Sequence, residues 1–279
     1  MTLTLRLLAA VFVLLLSGCA THTPLNLMGY HPHYEANVAP LPQAKALIIT
    51  TSQATLGEGG KATGVFGSEM TAPYYRFTEH GLSVDIASID AGEVPIDPIS
   101  FKWYIISEDD QRYLHDAEFQ QKAKHSIAIA DVNISDYDIV FLAGGWGAAY
   151  DLGYSEVLGE KITQAYAAAT PIGAVCHGPL GLQKARRPDG KLLVEGLSLT
   201  AVTDKQIEEL GITETPQHPE SALRAAGAAF ESNTRFYDLL ANHVVVDGTV
   251  VTGQNQNAGS EAAFTLMELL HKQRQMDSK

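Results

Sequence analysis

The run Pro171-Ile172-Gly173-Ala174-Val175-Cys176-His177-Gly178-Pro179 decides how this chain is read. Its first half carries no polar side chain after the proline, which is how a parallel strand buried on both faces is written. It then passes through Cys and His into a Gly-Pro pair able to open a helix. That is the strand, turn, helix plan of a nucleophile elbow, which lifts the side chain at the bend out of the sheet. A thiol held there points into the crevice beyond the strand ends. The following helix N-terminus would favour thiolate through unpaired N–H groups and partial positive charge, so a lowered Cys176 pKa is expected. The competing reading is a buried structural cysteine, since the thiol packs as a small hydrophobe. His177 and Gly178 weigh against it, because a plain buried strand needs neither an adjacent base nor a sharp turn.

On either side of this run, short β-branched stretches alternate with helical patterns. Strands are expected at Ala46 to Thr51, Leu82 to Ile89, Ile139 to Ala143, Pro171 to Cys176, Leu197 to Val202, His243 to Val246 and Val250 to Thr252. The last two flank Asp247-Gly248, a hairpin turn signal. Helices are expected at Ser68 to His80, Ser155 to Ala168, Asp204 to Leu210, Ser221 to Phe230 and Ser260 to Gln273. The alternation predicts an α/β fold, a doubly wound and mostly parallel sheet sandwiched by helices, with ligands bound beyond the C-terminal strand ends. Residues 93 to 130 break the rhythm with Pro95, Pro98, Trp103 and a polar stretch, and are expected to form an insertion beside the sheet. The α/β domain spans residues 44 to 274.

A second strand ends in Phe141-Leu142-Ala143-Gly144-Gly145-Trp146-Gly147. Without Cβ atoms, backbone amides there can approach a substrate closely. Gly144, Gly145, Trp146 and Gly147 are therefore the expected substrate and oxyanion cradle, together with the amide of His177. The spacing does not match the G-x-G-x-x-G of a dinucleotide loop. Glu69 opens the first expected helix, where local sequence alone explains it as a carboxylate favoured by the helix dipole.

The chain has 279 residues, 46% hydrophobic and 18% charged, with net charge −13, and this acidic balance excludes nucleic acid as a natural partner. Its two cysteines, Cys19 and Cys176, have no zinc spacing and form no disulfide framework. Residues 1 to 18 hold Arg6, an apolar run from Leu7 to Leu16 too short to span a bilayer, and then Ser17 and Gly18. This is the pattern of a secretory signal. Leu16-Ser17-Gly18-Cys19 resembles the lipobox of bacterial lipoproteins, which implies cleavage before Cys19 and its diacylation. Ala20 in the next position points to outer-membrane retention in a Gram-negative cell, with the domain facing the periplasm. Residues 19 to 43, rich in proline and including His22, His31 and His33, are expected to form a tether. Two tether histidines lack a third metal ligand, and no metal or other cofactor is expected.

Six pieces in order carry a family resemblance: Thr63 to Glu69 with Ala72-Pro73-Tyr74; Ser83 to Ser88; Val94 to Pro98 with Ser100; Gly144-Gly145 with Gly147 and Asp151-Leu152; Ala174 to Pro179; and Val246-Asp247-Gly248 with Thr252 to Asn255. From about Lys45 to Leu270 the chain resembles the ThiJ/PfpI superfamily, with its type 1 glutamine amidotransferase-like fold, and within it the glyoxalase III and deglycase-like branch. The resemblance implies a reactive Cys176, a proton-carrying Glu69 hydrogen-bonded to it, His177 as adjacent base, and the amides of Gly145 and His177 on the oxyanion. It also implies glutathione-independent conversion of methylglyoxal to lactate, or a related deglycase or hydrolase reaction, on a small carbonyl substrate. A homodimer is the assembly common in the superfamily.

Three positions depart from the pattern. Trp146 stands where the branch carries His. Gln206 and Ile207 stand where the family has the acid that orients His, so that Asp204 or Glu208 substitutes or the triad is incomplete. Gln256-Asn257 replace a Pro and a small residue after Gly253-Gln254-Asn255. Two readings of another class stay open beside the enzyme: an envelope holdase using the fold without turnover, and a redox sensor built on the lone thiol.

Overall fold

The structure, a computed structural model, describes residues 24–58 and 60–277. The expected signal peptide, Cys19, Ala20 and His22 lie outside the described residues.

The sheet is built as its apolar runs dictate. β1 (Lys45–Thr50) pairs in parallel with β2 (Ser83–Ser88), which follows helix α1 (Gly67–Glu79). Helices α2 (Glu108–Tyr113) and α3 (Ala117–Lys124) come next, and then the two-residue edge strand β3 (Ile127–Ala128). β4 (Ile139–Leu142) and β5 (Ile172–Val175), joined through α4 (Glu156–Ala167), are buried along their whole length, as central parallel strands must be. β6 (Ser198–Leu199) pairs with β7 (Ala229–Phe230) in a separate small sheet, with α5 (Asp204–Leu210) and α6 (Pro219–Ala225) between them. β8 (Val244–Asp247) and β9 (Val250–Gly253) form the antiparallel hairpin, and α7 (Gly259–Asp277) closes the chain.

The main sheet has the order β3-β2-β1-β4-β5-β9-β8 and is parallel except for the hairpin. Strand order reverses between β1 and β4, and the carboxyl ends of β4 and β5 open beside that switch point. One apolar core fills the face under α1 and α7, with Phe77, Phe141 and Leu266 at its centre. The other lies under α4, with Leu142, Leu158 and Ile162. Gly173 marks how tightly β5 is gripped: a Cβ there would sit 2.5 Å from Leu266 Cδ1 and 2.7 Å from Phe141 Cδ2.

Four expectations need correction. The strand expected at Leu197 to Val202 is only two residues long and lies outside the main sheet. The helix expected to run to Phe230 stops at Ala225, because Ala229 and Phe230 pair with β6 instead. Residues 93 to 130 are only partly an insertion: α2 and α3 pack beside α1 and β2, but Ile127–Ala128 extends the sheet edge. The tether reading fails from Tyr30 onward. Tyr30 is fully buried, Val38 and Leu41 join the core, and the Leu41 amide bonds the His80 carbonyl at 2.7 Å. Prolines removed the periodicity that would have announced this packing, but not the apolar side chains that do it.

Replacement of Gly173 by Ala is expected to lower stability by about 1–3 kcal/mol through overpacking, since both neighbours it would strike are held in the core. Urea unfolding should show a lower midpoint with unchanged slope.

Candidate active site

Cys176 is the residue after β5, and its backbone takes φ +59°, a left-handed conformation that costs a non-glycine residue about 1–2 kcal/mol. Two hydrogen bonds hold the bend: the Cys176 amide donates to the Gly253 carbonyl at 2.9 Å, and the Val202 amide donates to the Cys176 carbonyl at 3.0 Å. The elbow expected from sequence is therefore present. The helix expected after it is instead a single five-residue 3-10 segment, Gly178–Leu182.

Glu69 arrives from the other side of the switch point. Its loop is pinned before α1 begins: the Val65 amide bonds the Pro95 carbonyl at 2.8 Å, Thr63 Oγ1 bonds Asp97 at 2.9 Å, and the Gly67 amide bonds Ser100 Oγ at 2.8 Å. Gly64 is required there, because a Cβ would lie 1.9 Å from the Pro95 carbonyl oxygen. The motifs Thr63 to Glu69 and Val94 to Ser100 are thus two halves of one clamp. It drives Glu69 inward, where the side chain is 1% exposed and hydrogen-bonds the Cys176 sulfur.

The glycine loop divides its work differently from the expectation. The Gly145 and His177 amides lie beside the Cys176 sulfur and favour its ionised form. The Gly144 amide is used inside the protein, donating to Glu69 Oε2 at 2.9 Å, and a Cβ on Gly144 would come within 2.6 Å of that oxygen. Gly147 bonds the Gly64 carbonyl at 3.2 Å and packs on Thr51, away from the site cavity. Gly144 and Gly147 therefore position the loop and are not among the residues that line the cavity. Trp146, half-buried, lines the cavity with its ring centroid 4.8 Å from that of His177.

His177 Nδ1 lies 3.4 Å from Cys176 Sγ, while its Nε2 is buried without a partner among the described residues. Neither expected acid reaches it. Asp204 bonds the Ser221 hydroxyl and lies 3.6 Å from His218 Nδ1, and Glu208 is exposed. The cause is register. In α5 the inward positions are Gln206 and Ile207, and Gln206 Oε1 accepts from Asn255 Nδ2 at 3.2 Å. The triad is incomplete.

Burial sets the protonation states. It lowers His177 to about 3, helped by the charge of His218, so the imidazole is neutral and a weak base. It raises Glu69 to about 8 against the lowering effects of the Cys176 and Gly144 hydrogen bonds. The Cys176 thiol is also pushed up, by burial and then by the Glu69 charge, with the Gly145 and His177 amides pulling the other way. This corrects the expectation of a lowered thiol pKa: a short 3-10 turn cannot offset the loss of water. Glu69 is thus the group at the sulfur whose pKa lies near neutrality.

A cavity of about 60 Å³ opens on this group, walled by Phe66, Ile99, Ile105, Trp146, Val202 and Leu239, with Gln206 and Gln256 at its edge. Tyr30 also lines it. Sequence reading missed Tyr30, Ile99 and Ile105 because they sit in the stretches read as tether and insertion. No local pattern ties them to Cys176.

A cysteine on a left-handed bend at the carboxyl edge of a doubly wound sheet, bonded to a buried glutamic acid, defines a cysteine-centred α/β protein of the elbow type. The chain belongs to the DJ-1/PfpI family, whose profile matches residues 61–269. It is homologous to glutathione-independent glyoxalases. The glutathione-independent glyoxalase hsp3101 of Schizosaccharomyces pombe is 29% identical, with 82% of this chain and 98% of that one aligned. Among solved structures, glyoxalase III of Candida albicans is similar with TM-score 0.74 and 26% identity, covering 81% of this chain and 97% of that one. Rapid Encystment Protein 24 kDa of Francisella tularensis is similar with TM-score 0.74 and 29% identity, covering 81% and 99%.

The raised Glu69 pKa makes the site a source of instability with a defined sign. Between about 4.5, the ordinary value, and about 8, the folded state holds a proton that the unfolded state has released, so stability falls as pH rises through that window. Glu69→Gln removes this dependence. The variant is expected to melt a few degrees above wild type at pH 8, with the gap closing toward pH 5, as calorimetry across pH would show.

Proposed function

We propose that this protein is a cysteine-dependent, glutathione-independent glyoxalase III-like enzyme that converts methylglyoxal, or a close small dicarbonyl, to the 2-hydroxy acid. The observation that carries this reading is the contact of Cys176 with Glu69 beside two backbone amides in a small, water-poor cavity. The size of that cavity favours a three-carbon compound. No Lys or Arg is among the described residues lining it, which favours a neutral substrate over a phosphorylated or carboxylated one. The names of the relatives, glyoxalases among them, support the same reaction class.

The reaction proceeds in three balanced steps. The Cys176 sulfur bonds to the aldehyde carbon as its proton passes to Glu69, and the Gly145 and His177 amides hold the oxyanion, which then takes that same proton from Glu69 to give the hemithioacetal and leave the carboxylate ionised for the next step. Glu69 removes the hydrogen on that carbon and returns a proton to the neighbouring carbon, while the hydroxyl proton moves from the first oxygen to the second. The product is a thioester of the hydroxy acid on Cys176. Water cleaves it, releasing the acid and restoring the thiol. The net change is addition of one water, with no external oxidant or reductant.

Glu69 must be ionised to receive the thiol proton, so kcat/KM is expected to rise with pH and level off above about 8. Lactate formation by purified residues 20 to 279 should be lost by at least about a thousandfold in Cys176→Ala and in Glu69→Gln. Lactate formation that survives Cys176→Ala would refute the mechanism.

The proposal extends to anchoring: a diacylated Cys19 holds the enzyme on a membrane facing the periplasm. Because the packed body already begins at Tyr30, only the residues from Cys19 to Gly29 separate the two, a reach of at most roughly 40 Å. Fractionation after labelling with a fatty acid should place wild type in membranes with the label attached. Cys19→Ser should be unlabelled and soluble, and an unlabelled wild type would refute the anchor.

A further inference from the structure

Tyr30 lies outside residues 61–269 that match the family, yet it lines the same cavity as Cys176 and Glu69. Its side chain is fully buried and its hydroxyl has no hydrogen-bond partner among the described residues. A buried hydroxyl left unpaired normally costs about 1–3 kcal/mol, so one on a residue that lines a reaction cavity asks for a ligand. Other interactions hold it there. The His31 amide donates to Asn257 Oδ1 at 2.8 Å, His31 Nε2 lies 3.0 Å from the Ile105 carbonyl, and the Tyr30 ring packs on the His31 ring at 4.1 Å. Asn257 is itself fixed, its Nδ2 donating to the Leu239 and Ala241 carbonyls at 3.0 Å each. The Gln256-Asn257 pair that departs from the resemblance is therefore the dock for the segment that delivers Tyr30, and Gln256 reaches the cavity wall as well. Burial, with Asp110, Glu69 and Cys176 nearby, pushes the phenol pKa up, so it remains a donor throughout the working range.

We propose that Tyr30 is a catalytic residue of this protein: its hydroxyl donates to the second carbonyl oxygen of the dicarbonyl substrate while Cys176 holds the first carbon. This rests on the dicarbonyl chemistry proposed above and deepens it. When Glu69 removes the proton from the first carbon, negative charge builds on the second oxygen. The Gly145 and His177 amides are committed to the first oxygen and the sulfur, and His177 is uncharged. Tyr30 is a buried, unpartnered donor on the cavity wall, suited to meet that charge. No bond to Tyr30 forms or breaks, and its proton stays on the phenol.

The test is Tyr30→Phe, which removes one oxygen and keeps the ring. Three quantities are measured: lactate formation from methylglyoxal, the rate of Cys176 alkylation by iodoacetamide, and the methylglyoxal concentration that halves this rate. The proposal expects kcat/KM to fall about 10- to 100-fold, alkylation without methylglyoxal to stay within about twofold, and the protecting concentration to rise about tenfold. The melting temperature should hold or rise, because an unpaired buried group has been removed. Unchanged turnover in Tyr30→Phe beside an active wild type would overturn the role of Tyr30 and leave the enzyme reading standing. If wild type itself forms no lactate, the enzyme reading fails and the protection measurement decides: a tenfold shift keeps Tyr30 as a ligand contact, and equal protection, or none in either protein, overturns it.

Discussion

Exclusion of water from around one sulfur and one carboxyl group is the constraint on which the rest of this molecule turns. In solvent, Cys176 and Glu69 would titrate independently. In the crevice between β4 and β5 neither can bear a charge freely, so each resists ionisation and the two share their protons as one unit. The same dryness neutralises His177, so that of these groups Glu69 has its pKa near neutrality. On the inner face of α5 the buried positions are Gln206 and Ile207, neither of which can ionise.

The fold supplies that environment by spending conformational freedom in a few places. The sheet provides two parallel strands ending side by side. At the end of one, Cys176 is forced into the left-handed region; at the end of the other, Gly144 lets a backbone amide reach the carboxyl group of Glu69. The clamp between residues 63–67 and 95–100 sets where α1 begins, and with it the depth of Glu69. Each device acts on the backbone, which explains why the supporting residues are mostly glycine, proline and short hydroxyl side chains.

Much of this was legible in the sequence. The buried strands announce themselves because parallel strands covered on both faces must be apolar throughout, as Ile139–Leu142 and Ile172–Val175 are. Cys176 was visible because a thiol before His-Gly-Pro makes little sense inside a strand. Glu69 was not singled out by its own neighbourhood, where it looks like any carboxylate in a first helical turn, and only the order of surrounding motifs pointed to it. Tyr30 was invisible for a different reason: its partners are remote, as the 226-residue separation of His31 and Asn257 shows, and a proline-rich stretch hides the apolar side chains that dock it. The acid partner of His177 stayed open and the ionisation of Cys176 was misjudged because both depend on burial, which no short motif encodes.

The most direct test of the coupled pair is the thiolate absorbance of wild type against pH, with Cys176→Ala subtracted, beside the same titration in Glu69→Gln. The account predicts a wild-type inflection above that of an ordinary thiol and a shift to lower pH when the carboxyl charge is removed. An inflection at or below the ordinary value, unmoved by Glu69→Gln, would contradict it.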